Sequence, residues 1–266
     1  MTRKNLLLSI LNLALFIFPS IPLQAQNLDL FLKKEFILKN DTLKYRILLP
    51  ENFDAAKKYP LILFLHGAGE RGSDNEKQLV HGSKLFLSDS IRKQFPAIVI
   101  FPQCPENQFW SNVKIKITPD HREFTFQANG EPTTPLALVQ KFMKNFIAQG
   151  NVDNKRIYIM GLSMGGMGTF ELLWRNPKLF AAAIPICGGA HPATVKQYAK
   201  HTAVWIFHGA DDPVVPVDFS RQMFEALKQA KAEAKYTEYP GIGHNSWDNT
   251  FAEPQLLSWL FTQSHK

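Results

Sequence analysis

Hydrophobic and polar positions follow two rhythms along this chain. Leu43, Tyr45, Ile47 and Leu49 alternate with polar Lys44 and Arg46. Period-two alternation predicts strands with one wet face, and residues 36–50 read as an antiparallel edge hairpin turning at Asn40-Asp41. Further on, short continuous apolar runs replace the alternation, at 60–66, 97–101, 157–160, 181–186 and 203–207, with a last strand expected at 235–239. Such runs suit strands covered on both faces of a parallel sheet. Between them apolar residues recur at helical spacing. Leu136, Val139, Phe142, Met143 and Phe146 follow a Thr134-Pro135 start signal, and Phe219, Met223, Phe224 and Leu227 repeat the pattern. Residues 165–175 and 253–262 also read as helices. The alternation of strand and helix predicts an α/β fold: a mostly parallel central sheet, an antiparallel N-terminal hairpin, and helices on both faces.

One long stretch, residues 111–133, has neither rhythm throughout. Within it Ile115, Ile117, Phe124 and Phe126 alternate with charged or polar neighbours. That pattern predicts a small β-ribbon with one face against the domain, not an apolar lid. A connection of this length near a sheet edge is more often functional than idle.

Composition narrows the class. In 266 residues, 45% hydrophobic and 20% charged, there is material for a real core, which excludes a disordered, collagen-like or bare coiled-coil chain. The net charge of +7 is mild, no basic run exceeds two residues, and basic and aromatic positions do not interleave, so nucleic-acid binding is not expected. Two cysteines exclude a disulfide scaffold and a Cys-rich zinc module. Residues 1–25 read as a secretory signal peptide. Arg3 and Lys4 give the positive start, Leu6 to Phe18 is apolar apart from Ser9 and Asn12, and Ala25 offers a small residue for cleavage. The stretch is shorter than the ~20 residues a membrane span needs. Export to the periplasm or the medium is therefore expected, with residues 26–266 as one catalytic α/β domain and no stable membrane insertion.

The chemistry enters at Gly161-Leu162-Ser163-Met164-Gly165, which directly follows the strand at 157–160 and opens a helix. A strand-to-helix turn this tight excludes bulk two residues before and after the serine, and it lifts the hydroxyl above the sheet as a nucleophile. A serine hydroxyl needs a base, and the base needs an orienting acid. The acid candidates, Asp211 and Asp212, lie on the loop that leaves the strand at 203–207. The base candidate is His244, between glycines just past the last strand. The order Ser, Asp, His is the one expected for a nucleophile on such a turn. Upstream, residues 66–72 leave the first buried strand and can supply one backbone N–H to an oxyanion hole, with the N–H of Met164 as the other.

At these residues the chain resembles α/β-hydrolase esterases of the polyhydroxybutyrate-depolymerase, feruloyl-esterase and phospholipase/carboxylesterase type. It is most similar to exported bacterial members with an LHGAGERG loop, some of which are labelled peptidases. The resemblance rests on Leu65 to Gly72, on Phe101-Pro102-Gln103-Cys104-Pro105 with Trp110, on Gly161 to Gly166, on His208 to Pro216 and on Gly243-His244. It covers roughly residues 36–262 and implies an α/β-hydrolase fold. The family pattern His-Gly-x-x-Asp-x-Val-x-Pro implies Asp212 as the acid and leaves Asp211 as a turn residue. It also implies Ala68 as the first-loop oxyanion donor beside Met164.

The expected activity is that of an exported serine carboxylesterase acting on short or aromatic acyl esters, including feruloyl or acetyl esters of polysaccharide. No cofactor is needed, and the remaining histidines show no metal-ligand spacing. The alternatives are a serine peptidase of the prolyl-oligopeptidase type, a phospholipase or lipase, and a non-catalytic glycan-binding protein. Trp110 and Trp247, with Phe109, are the candidates for a substrate-binding aromatic pocket. Glu70 and Arg71 read as an internal ion pair bracing their loop, with contact to an anionic substrate group as the alternative. His66 and His208, at the starts of Gly turns, read as structural. Cys104 and Cys187 are expected to stay free, because the usual strand order of the fold sets their strands three positions apart.

Overall fold

A computed structural model describes residues 27–118 and 122–265. The leader assigned to residues 1–25 lies outside them. An edge hairpin of β1 (Leu32–Leu38) and β2 (Asp41–Leu48) opens the chain, followed by β3 (Tyr59–Leu65), two short helices α1 (Ser83–Leu87) and α2 (Asp89–Gln94), and β4 (Ile98–Pro102). A ribbon of β5 (Val113–Ile117) and β6 (Arg122–Phe126) precedes α3 (Thr134–Ile147), β7 (Val152–Leu162) and α4 (Met164–Arg175). Then come β8 (Ala182–Ile186), α5 (Val195–Tyr198), β9 (Ala203–Gly209), α6 (Asp218–Gln229), β10 (Ala234–Tyr239), α7 (Trp247–Phe251) and α8 (Leu256–Thr262).

Eight strands form one sheet in the order β1-β2-β4-β3-β7-β8-β9-β10, and β5-β6 form a separate pair. The hairpin and the β2–β4 contact are antiparallel, and every later neighbour is parallel. This is the α/β-hydrolase sheet expected above. The continuous apolar runs are explained by cover on both faces. In β3, Leu61, Leu63 and Leu65 enter a core shared with α3, α4, α5 and α6, while Ile62 and Phe64 enter a second core with α1 and α8.

Three details depart from the expectations. The hairpin turns at Lys39-Asn40, one residue early, because Leu38 pairs with Asp41. The wet face of β2 is not wet at Arg46, which is buried and donates to the carbonyls of Asn75 and Leu28 at 3.2 and 3.1 Å. Residues 253–262 form one helix only from Leu256 onward, with α7 standing apart before it. The ribbon foreseen at 111–133 is present, with Val113 opposite Phe126, Ile115 opposite Phe124 and Ile117 opposite Arg122.

The ribbon is fastened at its base to α4. The buried carboxylate of Glu171 accepts from the Ser111 hydroxyl and the Asn112 N–H at 2.7 and 2.6 Å, and pairs with Arg175 at 2.9 Å. Arg175 in turn donates to the carbonyl of Gly130 at 3.0 Å. Both ends of the ribbon segment are thus held by one helix. Among the described residues no helix is long and apolar enough to cross a membrane.

Candidate active site

Ser163 stands at the junction of β7 and α4 with φ 54° and ψ −117°, a conformation that non-glycine residues rarely adopt. Neighbours hold it there. Its N–H donates to the Ile186 carbonyl at 2.8 Å, and its carbonyl accepts from Met167 at 3.0 Å. The turn leaves no room for side chains on either side. A Cβ on Gly165 would lie 1.9 Å from the Leu65 oxygen, and one on Gly161 would lie 2.3 Å from the Gly165 oxygen. The Gly-x-Ser-x-Gly spacing thus follows from backbone packed against backbone.

The Ser163 hydroxyl meets an imidazole. His244 Nε2 lies 2.9 Å from Ser163 Oγ, and His244 Nδ1 lies 2.7 Å from Asp212 Oδ2. With Nδ1–H donated to the carboxylate, Nε2 is left as an acceptor for the hydroxyl proton. The Asp212 side chain is fully buried, whereas that of His244 is 18% exposed, so the imidazole can be reached and the carboxylate cannot. Burial works against the Asp212 charge. Hydrogen bonds from His208, His244 and the Val215 N–H outweigh it and hold the carboxyl well below the usual range. Oδ1 accepts from the N–H groups of Val214 and Val215 at 2.8 and 2.9 Å. Asp211 is exposed, and its N–H ties the loop to the Ile242 carbonyl at 3.0 Å. Of the two neighbouring carboxylates, the structure brings Asp212 to the histidine and leaves Asp211 in the turn.

Ala68 and Met164 begin a 3₁₀ turn and α4, and both line the same cleft as Ser163. No hydrogen bond to a described residue uses the N–H of either. Two such donors beside a nucleophile can bind a developing oxyanion. The loop carrying Ala68 is pinned by His66. Its Nδ1–H donates to the Gly67 carbonyl at 2.6 Å, and its Nε2 accepts the Cys104 N–H at 2.9 Å. Burial holds this imidazole neutral, with its pKa down at about 4.

The cleft measures about 330 Å³ and has Phe109, Met167, Val214 and the ribbon residues Ile115 and Phe124 among its walls. A larger groove of about 880 Å³ beside Trp174 holds none of the residues named in this site. Phe109 reaches the cleft, but its neighbour Trp110 does not. Trp110 is fully buried, packs edge-on against His66 at 5.3 Å and donates to the His66 carbonyl at 3.2 Å. This corrects the expectation that Trp110 binds substrate: it braces the loop that carries Ala68 from behind. Trp247 packs edge-on against His244 at 5.4 Å and touches His81 at 5.1 Å, which places it beside the base, outside the cleft wall. The ion pair expected between Glu70 and Arg71 does not form. Glu70 faces His81 at 3.7 Å, and Arg71 donates to the carbonyls of Ala68 and Gln108 at 2.9 and 3.3 Å.

Two residues gain meaning only in three dimensions. His208, fully buried, places Nε2 3.2 Å from Asp212 Oδ2 and 3.0 Å from the Val215 carbonyl, with Nδ1 2.7 Å from Ser220 Oγ. Cys187 follows β8 with its thiol within 4.8 Å of the Asp212 and His244 ligand atoms. The carboxylate and imidazole of that trio are bonded to each other at 2.7 Å. Burial, then the nearby Asp212 charge, pushes the Cys187 thiol far up, so it stays protonated. Neither Cys187 nor Cys104 forms a disulfide, as their strand separation predicted.

Comparison with known proteins bears on the family and the fold. A profile of the phospholipase/carboxylesterase family matches residues 53–255. The chain is 27% identical over 243 residues to a protein of Arabidopsis thaliana named probable carboxylesterase SOBER1-like, covering 86% of each. It is 25% identical over 206 residues to a probable feruloyl esterase C of Aspergillus oryzae, covering 76% of this chain and 67% of that one. The solved structure of a thermostable esterase superposes with a TM-score of 0.80 at 37% identity over 89% of this chain, which spans 64% of that protein's length. With an α/β-hydrolase sheet, a serine on its strained turn and a family match over most of its length, the chain belongs to the phospholipase/carboxylesterase family of carboxylic ester hydrolases.

Proposed function

We propose that this protein is an exported serine esterase that cleaves soluble carboxylic esters of short or aromatic acids through an acyl-enzyme on Ser163. The observation that carries the proposal is the unbroken chain of hydrogen bonds Ser163–His244–Asp212, at 2.9 and 2.7 Å. Ser163 Oγ attacks the ester carbonyl as His244 Nε2 takes its proton. The Ala68 and Met164 N–H groups receive the charge that builds on the carbonyl oxygen. His244 then returns its proton to the departing alkoxide, which leaves as the alcohol. Water, deprotonated by the same imidazole, releases the acid and frees the serine. Asp212 keeps the imidazole in the tautomer that accepts at Nε2 and stabilises the imidazolium between the two proton transfers. The volume of the cleft, about 330 Å³, fits one short or aromatic acyl group and sits at the lower end of small-molecule sites. Likeness to a feruloyl esterase supports aromatic acids, with polysaccharide-linked esters as a natural source for an exported enzyme. Export itself rests on the leader composition.

The test is a panel of 4-nitrophenyl esters of rising acyl size beside peptidyl anilides. Hydrolysis of the esters by the wild type, with the anilides untouched, is expected. Faster turnover of the anilides would replace the esterase reading with a peptidase one.

A further inference from the structure

The cleft above Ser163 carries charge of one sign. Arg71 and Arg122 both line it, and no Asp or Glu does among the described residues. Arg71 is half-buried and spends Nε and one Nη on two neutral carbonyls, so nothing cancels its charge at close range. Arg122 sits where the ribbon pattern calls for an apolar residue. Facing positions on an antiparallel pair share a side. Ile115 with Phe124 and Ile117 with Arg122 therefore form one face, the face that roofs the cleft. Lys116 and Glu123 pair with each other at 3.4 Å on the opposite face. The Arg122 side chain makes no hydrogen bond or ion pair to a described residue. A cation thus stands at an apolar position of the ribbon, in the same cleft as Ser163, with no carboxylate among the described residues that line it.

The side of the ester that meets these arginines follows from the proton path. The leaving oxygen must lie within reach of His244 Nε2, yet no residue of 241–247 lines the cleft. The cleft therefore holds the acyl portion. Building on the esterase reading above, we propose that the enzyme selects esters of acids that carry a second, anionic carboxylate at the far end of an apolar spacer. The spacer would lie along Phe109, Ile115 and Phe124, and the carboxylate would meet the Arg71 and Arg122 guanidiniums, whose planar forks suit it.

The experiment compares 4-nitrophenyl hydrogen adipate, anionic in the acyl part, with its neutral methyl ester. A second pair, 4-carboxyphenyl butyrate and its methyl ester, puts the charge on the alcohol. We expect wild-type kcat/KM to favour the anionic adipate by about tenfold or more at low salt, a ratio equal to ~1.4 kcal/mol, and the ratio to shrink as salt rises. Arg122→Gln should bring the ratio near one, and Arg122→Glu should invert it. Turnover of both adipates at equal rates overturns the inference and leaves the esterase reading standing, as does a preference that survives both variants or appears only in the alcohol-side pair. Turnover of none of the four esters removes the esterase reading itself.

Discussion

Asp212 Oδ2 accepts from His208 Nε2 at 3.2 Å on its buried side while it accepts from His244 Nδ1 at 2.7 Å on its open side. The carboxylate is thus gripped between a fully buried imidazole and a partly exposed one. His208 is itself anchored to Ser220, which also donates to the Gly188 carbonyl at 3.1 Å. His208→Gln should lower kcat by about ten- to a hundredfold with little change in KM, the size expected for one lost hydrogen bond to a charged group. Stopped assays across pH 5–9 would check it. A loss confined to KM would show that His208 supports the substrate site and not the acid.

The nucleophile assignment predicts that Ser163→Ala folds like the wild type and loses ester hydrolysis by several orders of magnitude. A fluorophosphonate should add one mass equivalent to the wild type and none to the variant, read by intact-protein mass spectrometry. Label on any other residue would refute the assignment.

The two adjacent carboxylates should separate cleanly. Asp212→Asn should cost on the order of 10⁴ in kcat, as in the handicapped serine-protease triad where an amide holds the imidazole in the wrong tautomer. Asp211→Asn, at an exposed turn position, should retain most of the rate. Steady-state kinetics on one ester decides between them.

His66 makes stability depend on pH. Its folded pKa is held at about 4 by burial, below the 6.5 of an exposed imidazole. The unfolded chain therefore binds a proton first as pH falls. The stability associated with neutral His66 is whole above pH 6.5 and drains away between 6.5 and 4, by about 3 kcal/mol in all. Urea midpoints at pH 7 and pH 5 should differ more for the wild type than for His66→Gln, whose amide has no proton to gain.

Interfacial activation is not expected. Among the described residues of the ribbon, the large apolar side chains that are exposed are Ile115 at 37% and Ile117 at 75%, far short of the several hundred Å² of a lipid-seeking patch. Rates on esters of rising chain length should show no jump where the substrate begins to aggregate. A jump would promote the lipase alternative.

The sheet was legible because its inner strands carry uninterrupted apolar runs, and the strained turn at Ser163 because backbone contact leaves its flanking positions only glycine. Which carboxylate meets His244 was legible by resemblance alone: nothing in Asp211-Asp212 distinguishes the two neighbours until the fold turns one toward the imidazole. Trp110 misled for a related reason. A tryptophan in an active-site loop can face either way, and here the space beside Gly168, where a Cβ would come 2.6 Å from the Trp110 Cβ, draws it inward. The role of His208 was hidden because its partners, Asp212 and Ser220, are set by the path of the acid loop and α6. Arg46 was read as wet because period two marks a strand's two faces but not what later covers them.

Helix α4 begins at Ser163 and, about two turns later, presents the Glu171 carboxylate that holds the root of the ribbon. The scissors and the awning above them hang from a single beam. The Glu171 and Arg175 anchors tie the position of the roof over the hydroxyl to the beam itself. Residues farther out on the ribbon can then be exchanged, as a tool changes jaws, and the reach of the enzyme toward new acids can drift while the aim of Ser163 stays where it is.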